Sequence, residues 1–198
     1  MAPLEKPFLT VVSGLPRSGT SMMMMMIEAG GMPVLTDRIR RPDEDNPKGY
    51  YEYEPVKRTK ADASWVRDGV GKVVKVVHLL LSDLPVDHAY RIVLMRRNLD
   101  EVLASQRTML KRQGQKGSDL HPERLTTIFA GQLDKLTVSL GQVEHIRLLE
   151  VHHGNVIRDP HGQAERVNAF LDGGLDVETM ATVVDASLYR QRGAKKES

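Results

Sequence analysis

The chain has 198 residues, of which 40% are hydrophobic and 27% charged, as in a soluble globular protein with one packed core. Its 28 basic and 26 acidic residues leave a formal charge of +2, which argues against a general nucleic-acid-binding surface. Because cysteine is absent, disulfides, zinc thiolate sites and thiol catalysis are excluded. Apolar runs are too short to cross a membrane, so we expect a cytoplasmic protein, with one domain over residues 1–192 and a disordered tail over 193–198.

A strand, a glycine-containing loop and a helix follow one another near the N-terminus. The β-branched run over residues 8–12 predicts a buried parallel strand that leads into Gly14. A helix is predicted over residues 20–29, before Gly30. Five consecutive methionines make this helix apolar on all sides, which favours burial between a sheet and other helices. The alternative is that one or two of them line a ligand pocket.

The remainder of the chain alternates short apolar runs with amphipathic segments. This alternation predicts a mostly parallel sheet covered by helices on both faces, a three-layer α/β/α fold that binds ligands at the carboxyl ends of its strands. Three tyrosines in residues 50–53 either pack on the domain or form a wall for a substrate. Further strands are predicted at residues 72–80, 91–96 and 146–153, and further helices at 98–112 and from 123 beyond 140.

The loop after the first strand reads GLPRSGTS, from Gly14 to Ser21. It nearly fits the phosphate-binding pattern G-x-x-x-x-G-K-[ST], but Thr20 stands at the lysine position and the cation is Arg17, three residues earlier. Backbone N–H groups of such a loop bind phosphate whatever the side chains are. A kinase would also need a carboxylate at the end of a strand to hold magnesium. Asp83 is the nearest match to that pattern in the sequence. Because the match is loose, we expect no metal.

The loop resembles the 5′-phosphosulfate loop of sulfotransferases, which has the form P-[KR]-S-G-T-[ST]. These enzymes use 3′-phosphoadenosine 5′-phosphosulfate (PAPS) as donor. The resemblance implies a P-loop NTPase-like α/β fold and sulfuryl transfer without a divalent metal. It also implies that the 5′-phosphosulfate is bound by Pro16, Arg17, Ser18, Gly19, Thr20 and Ser21.

A second stretch, RNLDEVLAS, is similar to the sulfotransferase pattern R-[ND]-P-x-D-x-x-x-S, which binds the 3′-phosphate of the donor. We place Arg97, Asp100 and Ser105 in its register, with Leu99 at the proline position. The resemblance implies that Arg97 and Ser105 bind the 3′-phosphate. A guanidinium fork and a hydroxyl near a helix start suit that role. The alternative for Arg97 is a surface ion pair.

A third stretch, residues 73–85, is similar to the segment KTHLPxxLLP of cytosolic sulfotransferases. Its histidine is the general base, and its lysine contacts the bridging region of the donor. The resemblance implies that His78 takes the acceptor's proton and that Lys75, one residue out of register, stabilises charge on the leaving phosphate. The alternative is that His78 packs on the sheet, and the base is then Glu52 or Glu54.

GLPRSGTS, NPKGYYE and RRNLDEVLASQ occur together in short bacterial sulfotransferase-like proteins, so the resemblance covers most of the chain. The predicted function is sulfuryl transfer from PAPS to a hydroxyl or amine of a small-molecule or glycan acceptor, without nucleic-acid or membrane partners. Alternatives are a small P-loop nucleotide or metabolite kinase and a non-catalytic nucleotide-binding module. The non-catalytic module is suggested by three departures from the family: Lys75 is out of register, HGNV replaces YEDL after the last strand, and a C-terminal RKGxxGDWK stretch is missing. Arg190 and Arg192 are the candidates for the work of that stretch.

Overall fold

The computed structural model describes residues 7–39, 43 and 49–188. Its strands are β1 (Phe8–Gly14), β2 (Val73–Val77), β3 (Ala89–Arg96) and β4 (Ile146–His152). The α-helices in this part of the chain are α1 (Thr20–Ala29), α2 (Trp65–Gly69), α3 (Leu99–Arg112), α4 (Pro122–Gly141), α5 (His153–Arg158), α6 (Pro160–Phe170) and α7 (Val177–Thr182). Short 3-10 helices lie at Glu54–Arg58, His78–Asp83 and Ala186–Leu188. The predicted tail, Arg190 and Arg192 lie outside the described residues.

All pairings in the sheet are parallel, and the strand order is β2-β1-β3-β4. The central strand β1 ends at Gly14, which lies opposite Val77 of β2 and Met95 of β3. An isolated bridge between Val34 and Val73 extends the pairing beyond β2. The carboxyl ends of the strands therefore share one edge, and the glycine loop begins there, as the sequence predicts.

Consecutive residues of the central strands enter different hydrophobic cores, one on each face of the sheet. On β1, Val11 packs in a core with Trp65 and α4, whereas Val12 packs with α1 and α6. On β3, Ile92 and Val93 divide in the same way. This alternation follows from the period of two residues in a strand. The predicted three-layer α/β/α fold is confirmed.

The methionine-rich helix α1 is buried, as predicted. Three of its five methionines are fully buried in the second of these cores, and the other two are partly buried. Met23, Met24 and Met26 form the fully buried group, and Met22 and Met25 the partly buried one. The helix is thus mainly a packing element that supports the loop at its N-terminus. No helix of the described residues is long and apolar enough to span a bilayer.

Two strands are shorter than the sequence predicts. The strand expected over residues 72–80 ends at Val77, where a 3-10 helix begins at His78. From this helix Leu81 reaches the first core, whereas Leu79 is 62% exposed. An apolar run alone does not distinguish a strand from a short buried helix, which explains the error. The last strand likewise ends at His152, because His153 begins α5.

Candidate active site

The glycine loop lies between β1 and α1, at the carboxyl edge of the sheet. Gly14 and Gly19 have φ values of 151° and 99°, in the region that favours glycine. A Cβ atom at Gly14 would lie 2.5 Å from Ser18 Oγ and 2.7 Å from the Met95 carbonyl oxygen, and one at Gly19 would lie 2.6 Å from His153 Cδ2. Both glycines therefore allow a close turn that brings bare backbone to the N-terminus of α1, where helix N–H groups attract anions.

The side chains of the loop differ in exposure. Pro16 is exposed and Arg17 is half-buried, whereas Ser18 is almost completely buried. The hydroxyl of Ser18 has no hydrogen-bond partner among the described residues. Thr20 and Ser21 form the first turn of α1 and are half-buried.

Three hydrogen bonds join the loop to α3 and the residues just before it. Arg17 Nε donates to Ser105 Oγ at 2.9 Å. Arg97 Nη1 donates to the Arg17 carbonyl oxygen at 3.1 Å, and Gln106 Nε2 donates to the Pro16 carbonyl oxygen at 3.0 Å. Residues of the two motifs, 80 or more positions apart, are therefore in direct contact.

Arg97 forms a buried ion pair with Glu101. Its Nε donates to Glu101 Oε2 at 2.9 Å, and the two side chains are 9% and 8% exposed. The prediction that Asp100 takes the acidic position of the motif is wrong, because the fifth position from Arg97 is Glu101 and Asp100 is exposed. Asn98 caps α3 by accepting from the N–H groups of both residues. The ion pair of Arg97 thus lies at the loop rather than on the open surface.

His153 contacts the loop from the start of α5. It is 7% exposed, and a Cβ added to Gly19 would collide with its ring. Burial, together with the nearby Arg97 guanidinium, lowers the pKa of His153 to about 4, although the Glu101 carboxylate acts in the opposite direction. The imidazole is therefore neutral at pH 7.

A cleft of about 400 Å³ opens beside Arg97, at the carboxyl ends of β3 and β4. Arg96 also lines it, but this arginine is paired with Glu150 at 2.6 Å and with Asp134 at 3.3 Å. The volume is within the range of small-molecule pockets. The lining residues are Arg96, Arg97, Asn98, Glu101, His152, Gly154 and Asn155.

His78 lies directly after β2 and is 5% exposed. Its Nε2 is 3.3 Å from Gln132 Oε1 on α4, and its Nδ1 has no hydrogen-bond partner among the described residues. The preceding residue, Val77, lies opposite Gly14 in the sheet. His78 is therefore packed against α4 at the same edge of the sheet as the loop.

Lys75 points toward the segment before the first 3-10 helix. Its Nζ donates to the Tyr50 carbonyl oxygen and lies 6.0 Å from the centre of the Tyr50 ring. Ser21 Oγ donates to the same carbonyl oxygen at 3.5 Å. Lys75 is therefore close to the first turn of α1, while His78 contacts a different helix.

Residues 53–178, more than half of the chain, match the model of the sulfotransferase family. The chain belongs to this family. The matched range begins after the glycine loop, so the sequence motif in that loop is a separate observation. No curated protein matches the sequence of this sulfotransferase.

Solved structures of sulfotransferases share the fold. The sulfotransferase domain from the curacin biosynthetic pathway aligns with a TM-score of 0.55 and 15% identity, covering 96% of this chain and 93% of that one. The corresponding domain of the Synechococcus PCC 7002 olefin synthase gives 0.54 and 14%, with coverage of 98% and 84%. Retinol dehydratase gives 0.51 and 16%, with coverage of 91% and 64%. The sulfotransferase has the P-loop NTPase-like α/β fold and is an enzyme of sulfuryl transfer.

Three carboxylates of this sulfotransferase were considered from the sequence: Glu52 and Glu54 as alternative bases, and Asp83 as a magnesium ligand. Lys57 Nζ forms an ion pair with Glu54 Oε1 and lies 3.9 Å from Glu52 Oε2. Asp83 ends a 3-10 helix rather than a strand. In the described part of the chain, no three His, Asp or Glu side chains are close enough together to hold a metal ion.

Sequence reasoning did not identify Glu101, Gln106, Gln132 or His153. Spacing of four residues from Arg97 could have found Glu101. Gln106 was visible only as the neighbour of Ser105 in the motif stretch. His153 entered the sequence analysis only as the first residue of HGNV, the stretch that replaces YEDL, and no role was assigned to it. No local pattern indicates Gln132, which is 54 positions from His78 and meets it only in the folded chain.

Proposed function

We propose that this sulfotransferase uses PAPS as its donor and binds it along the glycine loop and α3. The observation that carries the proposal is the contact between the two motifs: Arg17 bonds to Ser105, and Arg97 bonds to the carbonyl of Arg17. A donor with a 5′-phosphosulfate and a 3′-phosphate needs two anion sites next to each other. The two motifs provide adjacent sites of that kind.

The loop has the groups that a phosphosulfate requires. Arg17 supplies positive charge, and Gly14 and Gly19 bring backbone to the N-terminus of α1. A buried hydroxyl without a partner is uncommon, and an oxygen of a bound anion would satisfy Ser18 Oγ. Retinol dehydratase, which shares the fold, has been solved with the inactive cofactor PAP. These observations support a 3′-phosphorylated nucleotide as ligand.

Arg97 and Ser105 are the proposed contacts of the 3′-phosphate. Ser105 is buried and the Arg97 side chain is 9% exposed; both contact Arg17 of the loop, and Arg97 also lines the cleft beside β3 and β4. An arginine binds phosphate oxygens through paired N–H donors, and a serine adds one O–H donor. The cleft next to Arg97 is the proposed position of the nucleoside.

The reaction forms a bond from an acceptor oxygen or nitrogen to sulfur and breaks the bond from sulfur to the 5′-phosphate oxygen, leaving 3′-phosphoadenosine 5′-phosphate (PAP). Arg17 stabilises charge on the transferred group, and Lys75 stabilises charge on the leaving phosphate. His78 accepts the proton of the acceptor, since histidine is the side chain that most often serves as a general base. The proposal involves no divalent metal.

The acceptor is a small molecule, and we extend the proposal to a hydroxyl or amine of a small metabolite or glycan in a bacterial cytoplasm. Sulfotransferases as a family act on small-molecule acceptors. The absence of cysteine agrees with a reducing compartment. A panel of acceptors, assayed by PAP release from PAPS, identifies the group that is sulfated.

The donor is tested by thermal unfolding with PAP and with ATP plus magnesium. A ligand at about 100 times its Kd stabilises the folded protein by about 2.7 kcal/mol, which raises the Tm by several degrees. We expect this shift with PAP and none with the magnesium complex of ATP. A shift with the ATP complex alone would support a kinase, and no shift with either would support a module without a nucleotide ligand.

A further inference from the structure

Ser105 connects the two proposed phosphate sites. Its Oγ accepts a hydrogen bond from Arg17 Nε at 2.9 Å, and its side chain is buried. A hydroxyl has one donor proton and two acceptor lone pairs. Ser105 can therefore accept from Arg17 and donate to a phosphate at the same time. The serine assigned to the 3′-phosphate thus contacts the arginine assigned to the phosphosulfate.

The same helix, together with Arg97 just before it, holds the backbone of the loop. Gln106 Nε2 donates to the Pro16 carbonyl and Arg97 Nη1 to the Arg17 carbonyl. Arg17 has φ of 75°, a conformation that a residue with a side chain keeps only when its surroundings fix it. In a trans peptide the N–H points away from the carbonyl. Anchoring the Pro16 carbonyl on α3 therefore turns the N–H of Arg17 away from that helix.

We propose that α3 assembles the phosphosulfate loop before the donor binds, with Ser105 and Gln106 as positioning residues. Ser105 orients the guanidinium of Arg17, and Gln106 orients the peptide between Pro16 and Arg17. This inference rests on the proposed function and gives Ser105 a second role beyond the 3′-phosphate. The loop then binds a phosphosulfate even in a ligand without a 3′-phosphate, and Ser105 controls that affinity through Arg17.

Two nucleotides separate the two roles of Ser105. Adenosine 5′-phosphosulfate carries the phosphosulfate without the 3′-phosphate, whereas PAP carries the 3′-phosphate without the sulfuryl group. Isothermal titration measures both affinities in wild type, Ser105→Ala, Ser105→Thr and Gln106→Leu. Thr108→Val is the matched control, because the Thr108 hydroxyl donates to the Ala104 carbonyl oxygen of its own helix at 3.0 Å.

We expect Ser105→Ala to weaken adenosine 5′-phosphosulfate binding about tenfold, the size of one lost hydrogen bond involving a charged group. Gln106→Leu removes a hydrogen bond between neutral groups and is expected to weaken the same binding about fivefold. Ser105→Thr restores the hydroxyl and with it most of the affinity, and Thr108→Val leaves the affinity unchanged. Rescue by threonine separates the hydroxyl's effect on Arg17 from loss of packing at this position. Ser105→Ala is expected to weaken PAP binding more than Gln106→Leu does, because Ser105→Ala also removes the proposed contact with the 3′-phosphate.

The inference is overturned if Ser105→Ala weakens PAP binding alone, or if wild type binds PAP but not adenosine 5′-phosphosulfate. If wild type binds neither nucleotide, the proposed function itself fails. Gln106→Leu keeps the experiment decisive if Ser105→Ala does not fold, since Gln106 is only half-buried and is expected to tolerate replacement. An unchanged affinity in a folded Gln106→Leu variant contradicts its positioning role.

Discussion

The two sides of the candidate site differ in how their predicted residues are arranged. On the donor side, which comprises the loop over residues 14–21 with Arg97 and Ser105, these residues bond directly to one another. On the base side, which comprises Lys75 and His78, each residue bonds to a different segment of the chain. Lys75 bonds to the Tyr50 carbonyl, and His78 contacts Gln132. The donor side therefore joins residues of two separate motifs, although those motifs lie 80 or more positions apart in the sequence.

The largest expected effect is on the base side. Replacing His78 with alanine removes the proposed base, so turnover with PAPS and an acceptor is expected to fall about 10²- to 10⁴-fold. PAP affinity stays within about threefold, because His78 packs on α4 rather than on the donor side. Steady-state kinetics together with PAP titration measure both quantities.

Glu52→Gln and Glu54→Gln are the controls for His78→Ala. Both carboxylates are directed to Lys57, so each variant is expected to retain turnover within about threefold of wild type. A greater loss in either glutamine variant than in His78→Ala would assign the base to that glutamate. It would also show that His78 serves only in packing.

On the donor side, Arg97→Met combined with Glu101→Gln is expected to weaken PAP binding about 100-fold, as two charge-assisted hydrogen bonds are lost. Both changes are made together, because replacing Arg97 alone would remove the ion pair of the buried Glu101 carboxylate. Glu101→Gln alone and Arg96→Met are the controls. Arg96 is already paired with Glu150 and Asp134, so its loss is expected to change PAP affinity within about threefold. Equal effects of the two arginine variants would refute the assignment of Arg97.

The fold could be predicted to a large extent because its signals are local. The β-branched run of β1, the glycine loop and the helix that begins at Thr20 lie within 22 residues, and the structure has all three. The error at His78 arose where three leucines in succession suit a buried strand and a short helix equally well. Only the packing of Leu81 into the core distinguishes the two.

The contacts of the site are less accessible from sequence. Helical spacing from Arg97 leads to Glu101, but nothing in the sequence indicates that the guanidinium also reaches the Arg17 carbonyl. The partners of the base side come from segments 25 and 54 positions away, whose approach depends on the whole core. Short motifs therefore identify side chains, whereas the groups that hold those side chains require the fold.

His153, which contacts the loop at Gly19, makes the stability of the protein depend on pH. The pKa of His153 is about 4 in the folded protein, against 6.5 in the unfolded chain, so between these values the unfolded chain binds the proton more strongly. Stability from this group is complete above pH 6.5 and is lost as the pH falls toward 4. Between pH 7 and pH 4.5, wild type is expected to lose about 2 kcal/mol more than His153→Gln. Urea unfolding at several pH values measures the difference, and parallel curves would contradict a buried neutral histidine.

The smallest expected effect on stability concerns Lys75. Lys75→Met removes the hydrogen bond to the Tyr50 carbonyl, which also accepts from Ser21, and is expected to lower the free energy of unfolding by about 1 kcal/mol. Lys72→Met, just before β2, is the matched control for loss of a positive charge. Urea unfolding compares Lys75→Met with Lys72→Met.

If these two variants are equally stable, the bond from Lys75 to Tyr50 contributes nothing to the fold. A loss confined to Lys75→Met with unchanged turnover would make this lysine a support for the segment around Tyr50, and a loss of turnover would add a role in the chemistry. The base side would then match the donor side, where Arg17 and Arg97 each bond to the protein and are proposed to bind the donor.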